Sequence, residues 1–365
     1  MKQKLARFFK NEMILCIAAV LAVISCFLVP PDSAYAGYVD TRTLILLFCL
    51  MLVMAGLQHL GVFRYIGERL LSKVQSERGL ALILIFLCFF SSMLITNDVA
   101  LITFVPFGIL ILKMADKPAL TNRTIVLMTI AANLGSMLTP IGNPQNLYLY
   151  AVSGMSLPSF LWLMLPYTAA SALLLLIASL LLFRSHSLSC HIHTDAATPN
   201  LRWLLFYLIL FVICLLGVAD ILQPWILLVV LVICNLFTNR KLFTKVDYSL
   251  LLTFAAFFVF IGNMGRYPIF HDFIAGIVNG HEQTTAILAS QVISNVPAAL
   301  LLSGFTDNIT GLIVGTNLGG LGTLIASMAS LISYKQITEK GSYMGTFTLW
   351  NLIFLALLWG LSLLI

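Results

Sequence analysis

Charge is what this chain has least of. Of its 365 residues only 9% are Asp, Glu, Lys or Arg, whereas 60% are hydrophobic. So sparse a charge complement excludes an ordinary soluble domain. Paired cysteine spacing is missing too: Cys16, Cys26, Cys49, Cys88, Cys190, Cys214 and Cys234 sit mostly inside apolar runs, as small packing residues and not as a disulfide framework. What is abundant is long apolar sequence. Unpaired backbone amides are costly in lipid, so spanning segments must be helices or a closed barrel; continuous runs without period-two alternation select helices. The formal net charge of +6 follows the loops as a topology signal, so no nucleic-acid partner is expected.

The fold class expected is an all-α polytopic membrane protein, with helices at about 13–30, 43–60, 123–153, 158–183, 202–219, 224–238, 249–264, 308–334 and 345–363. The apolar stretch 13–29 follows a basic head and precedes Ala34-Tyr35-Ala36, which imitates a signal-peptidase site; its length favours a retained helix over a cleaved signal. Two further segments, 81–112 and 283–305, do not fit as crossings. Arg64, Arg69, Lys73 and Arg78 precede the first, and Lys113, Lys117 and Arg123 follow it, so both flanks belong on the cytoplasmic side. Arms of about fourteen residues are too short to span, which predicts a re-entrant hairpin tipped near Thr96-Asn97-Asp98. Segment 283–305 has acidic flanks, Asp272, Glu282 and Asp307, and is expected to enter from outside. This arrangement of about nine spans, two re-entrant hairpins and two broken helices leaves only Arg42 and Arg266 of the 20 basic residues outside. It puts the N-terminus in the cytoplasm and the C-terminus outside.

A repeat follows. Ile95-Thr96-Asn97-Asp98 corresponds to Ile293-Ser294-Asn295-Val296, and Asn133-Leu134-Gly135-Ser136-Met137-Leu138-Thr139 to Asn317-Leu318-Gly319-Gly320-Leu321-Gly322-Thr323. The halves, about 43–183 and 249–363, start on opposite sides of the membrane, as in inverted-repeat transporters. Residues 1–42 add an N-terminal helix and 184–248 link the halves, so the whole of 1–365 is expected to form a single transmembrane transporter domain.

Asp98 is the one residue among 14 Asp and Glu expected at membrane depth, which makes it a functional candidate, although an N-cap role is also open. The run 133–146 holds two prolines and two glycines inside a membrane helix. Backbone freed there can face a wet cavity, with carbonyls toward a cation and half-helix N-termini toward an anion. Candidate substrate- and ion-binding residues are Thr96, Asn97, Asp98, Asn133, Gly135, Thr139, Gly142, Asn143, Ser294, Asn295, Asn317, Gly319 and Thr323, with Asn97, Asp98 and Asn295 as candidates for Na⁺. No Lys or Arg is expected in the core, so an anion would rest on neutral donors. His186, Cys190, His191 and His193 cluster in a loop that reads as solvated. The histidines lie in loops or at helix ends and no second carboxyl is expected at depth, which argues against an intramembrane hydrolase.

The segments TNDVALITFVPF (96–107), NLGSMLTPIGNPQN (133–146), SNVPAALLL (294–302) and GTNLGGLGTLIASMASLISYK (315–335) resemble the ion transporter superfamily of divalent anion/sodium symporters, citrate-type permeases and arsenite-efflux permeases. The resemblance implies a transport domain of two hairpins and two unwound helices, a helical scaffold, a homodimer and elevator-type alternating access. It implies no cofactor beyond a coupling Na⁺ or H⁺, and no enzyme activity. Dicarboxylate transporters of that group carry Ser-Asn-Thr at both tips; here Asp98 and Val296 depart from the pattern, which points toward the arsenite-efflux and sodium/proton-exchange branches. The expected function is cation-coupled transport of a small anion across the cell membrane, with sodium/proton antiport as the alternative.

Overall fold

The computed structural model describes residues 12–71, 74–187 and 198–365. They form α1 (Met13–Leu28), α2 (Thr41–His59), α3 (Val62–Leu71), α4 (Glu77–Ile95), α5 (Asn97–Met114), α6 (Thr121–Ser136), α7 (Pro144–Ser153), α8 (Leu157–Leu182) and α9 (Leu201–Val218). The chain continues through α10 (Pro224–Thr238), α11 (Tyr248–Gly265), α12 (Pro268–Val278), α13 (Glu282–Ile293), α14 (Asn295–Ser303), α15 (Ile309–Leu318), α16 (Met328–Gln336) and α17 (Lys340–Ser362). Among the described residues the only β feature is an isolated bridge between Ser76 and Ser187. Among the described residues seven helices, α2, α4, α5, α8, α9, α11 and α17, are long and apolar enough to cross a membrane. The protein is an all-α polytopic membrane protein.

Short polar side chains mark where these helices begin. Asp40, Ser76, Ser156, Asp247 and Asn308 each accept a hydrogen bond from a backbone N–H in the first turn of α2, α4, α8, α11 and α15. Proline opens α7, α10 and α12, where its missing N–H costs nothing. Gly154 ends α7 in the left-handed region at φ 62°.

Two groups of helices result. The hairpins α4–α5 and α13–α14 pack with the broken pairs α6/α7 and α15/α16, and α8 and α17 flank them. Helices α1, α2, α9, α10 and α11 form the other group, with α1 laid along α11 and α9 and α10 against α2. The N-terminal helix is tied in by polar contacts: Asn263 donates to Ser25 at 2.9 Å, Ser249 donates to Glu12, and Arg266 forks onto the Asp32 carboxylate at 2.6 and 3.0 Å.

The first hairpin is longer than expected. Its arms have 19 and 18 residues where the sequence suggested about fourteen, because the Ser76 cap starts α4 ahead of the apolar run and draws Glu77 and Arg78 into the helix. At about 1.5 Å per residue each arm is about 27–28 Å long, so arm length alone does not exclude a crossing. The open end is closed by Lys117, which pairs with Glu77 at 2.7 Å, and is fastened to the end of α8 by Arg78 donating to the Phe183 carbonyl at 2.9 Å. Glu282 closes the second hairpin in the same position, accepting from Thr306 at 3.1 Å and Asn308 at 3.3 Å.

Candidate functional site

Each hairpin turns on a single residue. Thr96 (φ 65°, ψ 149°) and Ser294 (φ 73°, ψ 153°) share a conformation that side-chain-bearing residues rarely adopt. It reverses the chain in one step and presents the next residue, Asn97 or Asn295, at a helix start. Both asparagines are buried.

The hairpins reach the centre from opposite ends. Helix α6 starts beside the first hairpin's open end, and Asn97 donates at 2.9 Å to Asn133 near its other end. Helix α7 then continues to the second hairpin's open end, where Tyr148 and Ser303 are hydrogen-bonded at 2.9 Å. The second tip meets the second break, with Asn295 N–H donating to the Ala326 carbonyl at 3.0 Å and Ser294 Oγ to the same oxygen at 3.4 Å.

Across the middle the two breaks join. Asn133 Oδ1 also accepts from Ser327 at 3.0 Å, and its amide donates to the Gly320 carbonyl at 3.5 Å. Asn143 donates to Ser136 at 2.7 Å and to Asn317 at 3.5 Å, while Asn317 donates to Asn146 at 2.6 Å. The network contains no cationic side chain.

The repeat extends into details of packing. Thr139 and Thr323, each six residues after the break asparagine, donate to the carbonyl three residues before the opposing tip residue, Met93 or Gln291. A Cβ on Gly135 would lie 2.6 Å from Ser92 Oγ and 2.0 Å from the Phe89 carbonyl; one on Gly319 would lie 2.7 Å from Ser290 Oγ. These two glycines seat the broken helices against the first hairpin arms. Gly142 similarly folds the first break onto the Ser136 carbonyl, 2.0 Å from where its Cβ would be.

Two residues outside the expected set organise the breaks. Asn146 donates toward the carbonyls of Ser136, Met137 and Thr139 at 3.2–3.4 Å, and Gln291 toward those of Gly319 and Leu321 at 2.9–3.0 Å. The freed carbonyls are thus already held by side-chain amides, each keeping a second lone pair. A signal existed for both: Asn146 closes the polar run 133–146, and Gln291 interrupts an apolar arm one turn before its tip.

Asp98 stands apart from this network. Its N–H donates to Asn97 at 2.9 Å, but its Oδ1 is buried without a partner. Asn143 Oδ1 and Gln145 Nε2 share that condition. Asp98 and Asn143 line a cavity of about 190 Å³ between the first hairpin and α2, walled largely by apolar side chains such as Leu50, Met54 and Ile102, with Lys245 and Asp247 also on its lining. Gln58 of α2 donates to Thr103 of α5 at 3.1 Å beside it.

Of the expected residues, the structure gathers Asn97, Asn133, Asn143 and Asn317 into one hydrogen-bonded cluster, with Ser294 and Asn295 against the Ala326 turn beside it. Thr139, Thr323 and the three glycines support it. His186 lies beside Glu77 at 3.8 Å, whereas Cys190, His191 and His193 lie outside the described residues. Among the described residues no group of three or more His, Cys, Asp or Glu could hold a metal ion.

A helical membrane bundle with opposed hairpins meeting over paired helix breaks is built as a transporter. Residues 5–310 match the citrate transporter family, and the chain belongs to that family, within the ion transporter superfamily. The inner membrane protein YbiR of Escherichia coli is 32% identical over 320 residues, 86% of this chain and 85% of the relative. An uncharacterised transporter of Methanocaldococcus jannaschii is 35% identical over 298 residues, 81% of each chain. A silicon efflux transporter of rice, Oryza sativa, is 35% identical over 151 residues, 41% of this chain and 30% of its own length. The chain is a membrane transporter and not an enzyme.

Proposed function

We propose that the protein is a cation-coupled secondary transporter of a small anion, a carboxylate or an inorganic oxyanion, working by elevator-type alternating access. The observation that carries this reading is the pairing of two neutral donor tips, Asn97 and Asn295, over two mutually bonded helix breaks, with one unpaired buried carboxylate oxygen at Asp98 alongside. The hydrogen-bonded network there holds no cationic side chain, so the charge of an anion seated on it is offset by a co-transported Na⁺ or H⁺. Asp98 Oδ1 is the atom suited to bind either ion, and the similarity to a silicon efflux transporter favours keeping inorganic solutes in the substrate class.

The hairpins are read as re-entrant. Asn97 bonds Asn133, and beyond the break ten more residues of α7 follow before Gly154, about 15 Å of helix. A tip that stops a helix segment short of the far side has not crossed. Assigning the basic open end around Arg78, Lys113 and Lys117 to the cytoplasm puts the second hairpin's open end outside, and the halves become inverted repeats. The hairpin-bearing group is then the moving body and the α2-centred group the scaffold, through which a homodimer forms.

The test is a substrate panel in proteoliposomes under imposed Na⁺ and pH gradients. Uptake of a carboxylate or oxyanion that requires one of the gradients supports the reading. Sodium-driven proton movement with no anion present replaces it with sodium/proton antiport on the same scaffold, for which the lone Asp98 carboxylate is the supporting feature.

A further inference from the structure

We propose that the groove between the starts of α6 and α17 and the end of α8 is a binding site for an anionic phospholipid. The groove, about 680 Å³, is lined by Arg123 and Arg184 together with the hydroxyl-bearing Ser342 and Thr346. No acidic side chain lines it among the described residues, and neither guanidinium has an ion-pair partner there. Two arginines and two hydroxyl-bearing side chains lining one hollow match a phosphate diester.

The source of the phosphate follows from what lies further along the groove. Leu181 and Leu349, both exposed, and the half-buried Trp350 continue it along α17. From Gly341 to Trp350 is nine residues, about 13–14 Å of helix, so the lining passes from guanidinium to hydroxyl to hydrocarbon over the depth from a headgroup to the upper acyl chain. A soluble phosphate would have no use for the apolar end. The floor is shaped by Gly341 and Gly345, where an added Cβ would meet nothing within 4 Å. Small residues four apart on a membrane helix let a second surface approach closely. Among the described residues no helix fills the space. An apolar helix from a second copy would bury both guanidinium groups unpaired, a cost a phospholipid avoids.

The test is native mass spectrometry of the full chain in detergent, titrated with phosphatidylglycerol, phosphatidylcholine and free glycerol-3-phosphate. Wild type is expected to prefer phosphatidylglycerol and to ignore glycerol-3-phosphate. R123Q and R184Q should each weaken phosphatidylglycerol binding about fivefold, the double variant by their product. G345L, which fills the groove and leaves its charge, should weaken it as much as the double variant, whereas K241Q, a neutralisation elsewhere on the basic surface, should not. All the substituted side chains are exposed, and gel filtration checks that each variant is folded. Equal binding of the two lipids, a preference retained in the double variant, or a loss as large in K241Q overturns the site. Tight binding of glycerol-3-phosphate would make it a soluble-anion site, and a dimer broken by G345L with the lipid preference intact would make it a protein interface.

Discussion

Asp98 carries the sharpest residue-scale expectation because it combines a carboxylate with a buried oxygen that nothing in the fold satisfies. Asp98→Asn keeps the shape and removes the charge. Gradient-driven transport should fall below about a tenth of wild type, while thermal unfolding without substrate should show a variant as stable or stabilised by up to about 1–3 kcal/mol, the range for an unsatisfied buried group. Undiminished coupled transport would reduce Asp98 to a part of the turn. The tip residues offer a separate measurement. Thr96→Gly and Ser294→Gly remove a positive-φ strain of about 1–3 kcal/mol each at the cost of a hydroxyl. Both should raise the melting temperature and weaken substrate affinity; a lower melting temperature would mean that the hydroxyls outweigh the strain. Sequence made the asparagines visible, since Asn97, Asn133, Asn295 and Asn317 interrupt apolar runs in matched positions. It did not separate ligands from supports. Gly135 and Gly319 read as site residues, and in the fold each sits hard against a serine, Ser92 or Ser290, a contact that depends on what faces them from another helix.

At the scale of elements, the hairpins are held shut at their bases and strained at their tips. Glu77 is buried and its carboxylate meets Lys117 across the open end, with His186 nearby, so the pair is partly shielded from water. Glu77→Gln should cost about 1–3 kcal/mol and raise hydrogen exchange around residues 113–118 without altering exchange at the tip. Equal protection in the variant would show that helix packing alone closes the hairpin. The sequence located this element by loop charge and mistook its length. Polar residues at 76–78 look like loop, but the Ser76 cap and the Phe183 contact make them the first turn of α4, a tertiary arrangement that local hydropathy does not encode. The second hairpin, with arms of 12 and 9 residues, matches its apolar run closely, and Glu282 joins the two arms where the run ends by accepting from Thr306 and Asn308.

The whole molecule is two packed groups of helices, and what joins them decides whether one moves. On the surface, Arg266 hydrogen-bonds Asp32 and holds its carboxyl below the usual 3.8, fastening the segment after α1 to the end of α11. A carboxyl lowered on folding adds stability above its unfolded value and loses it as pH falls through its folded one. Hydrogen-exchange protection of the backbone around residues 29–38, corrected for the intrinsic pH dependence of exchange, should therefore be flat from pH 7 to about 5 and fall below about pH 4, with Asp32→Asn showing the lowered level throughout. On the proposed elevator reading, the interface that matters for transport is the one at the Asp98 cavity, where Gln58 of α2 touches Thr103 of α5. If the hairpin group slides against α2, this pair must separate in each cycle, because α5 also carries Asp98 and cannot move the ion without moving Thr103. A Gln58→Cys/Thr103→Cys variant treated with a short bis-thiosulfonate cross-linker should lose more than about nine-tenths of its transport and recover it on reduction, while binding of substrate persists. Each variant with only one of the two new cysteines should be no more affected by the reagent than the wild type, which carries the same seven native cysteines. Transport that survives complete cross-linking would mean that the two groups stay fixed and that access alternates by motion of the hairpin tips alone.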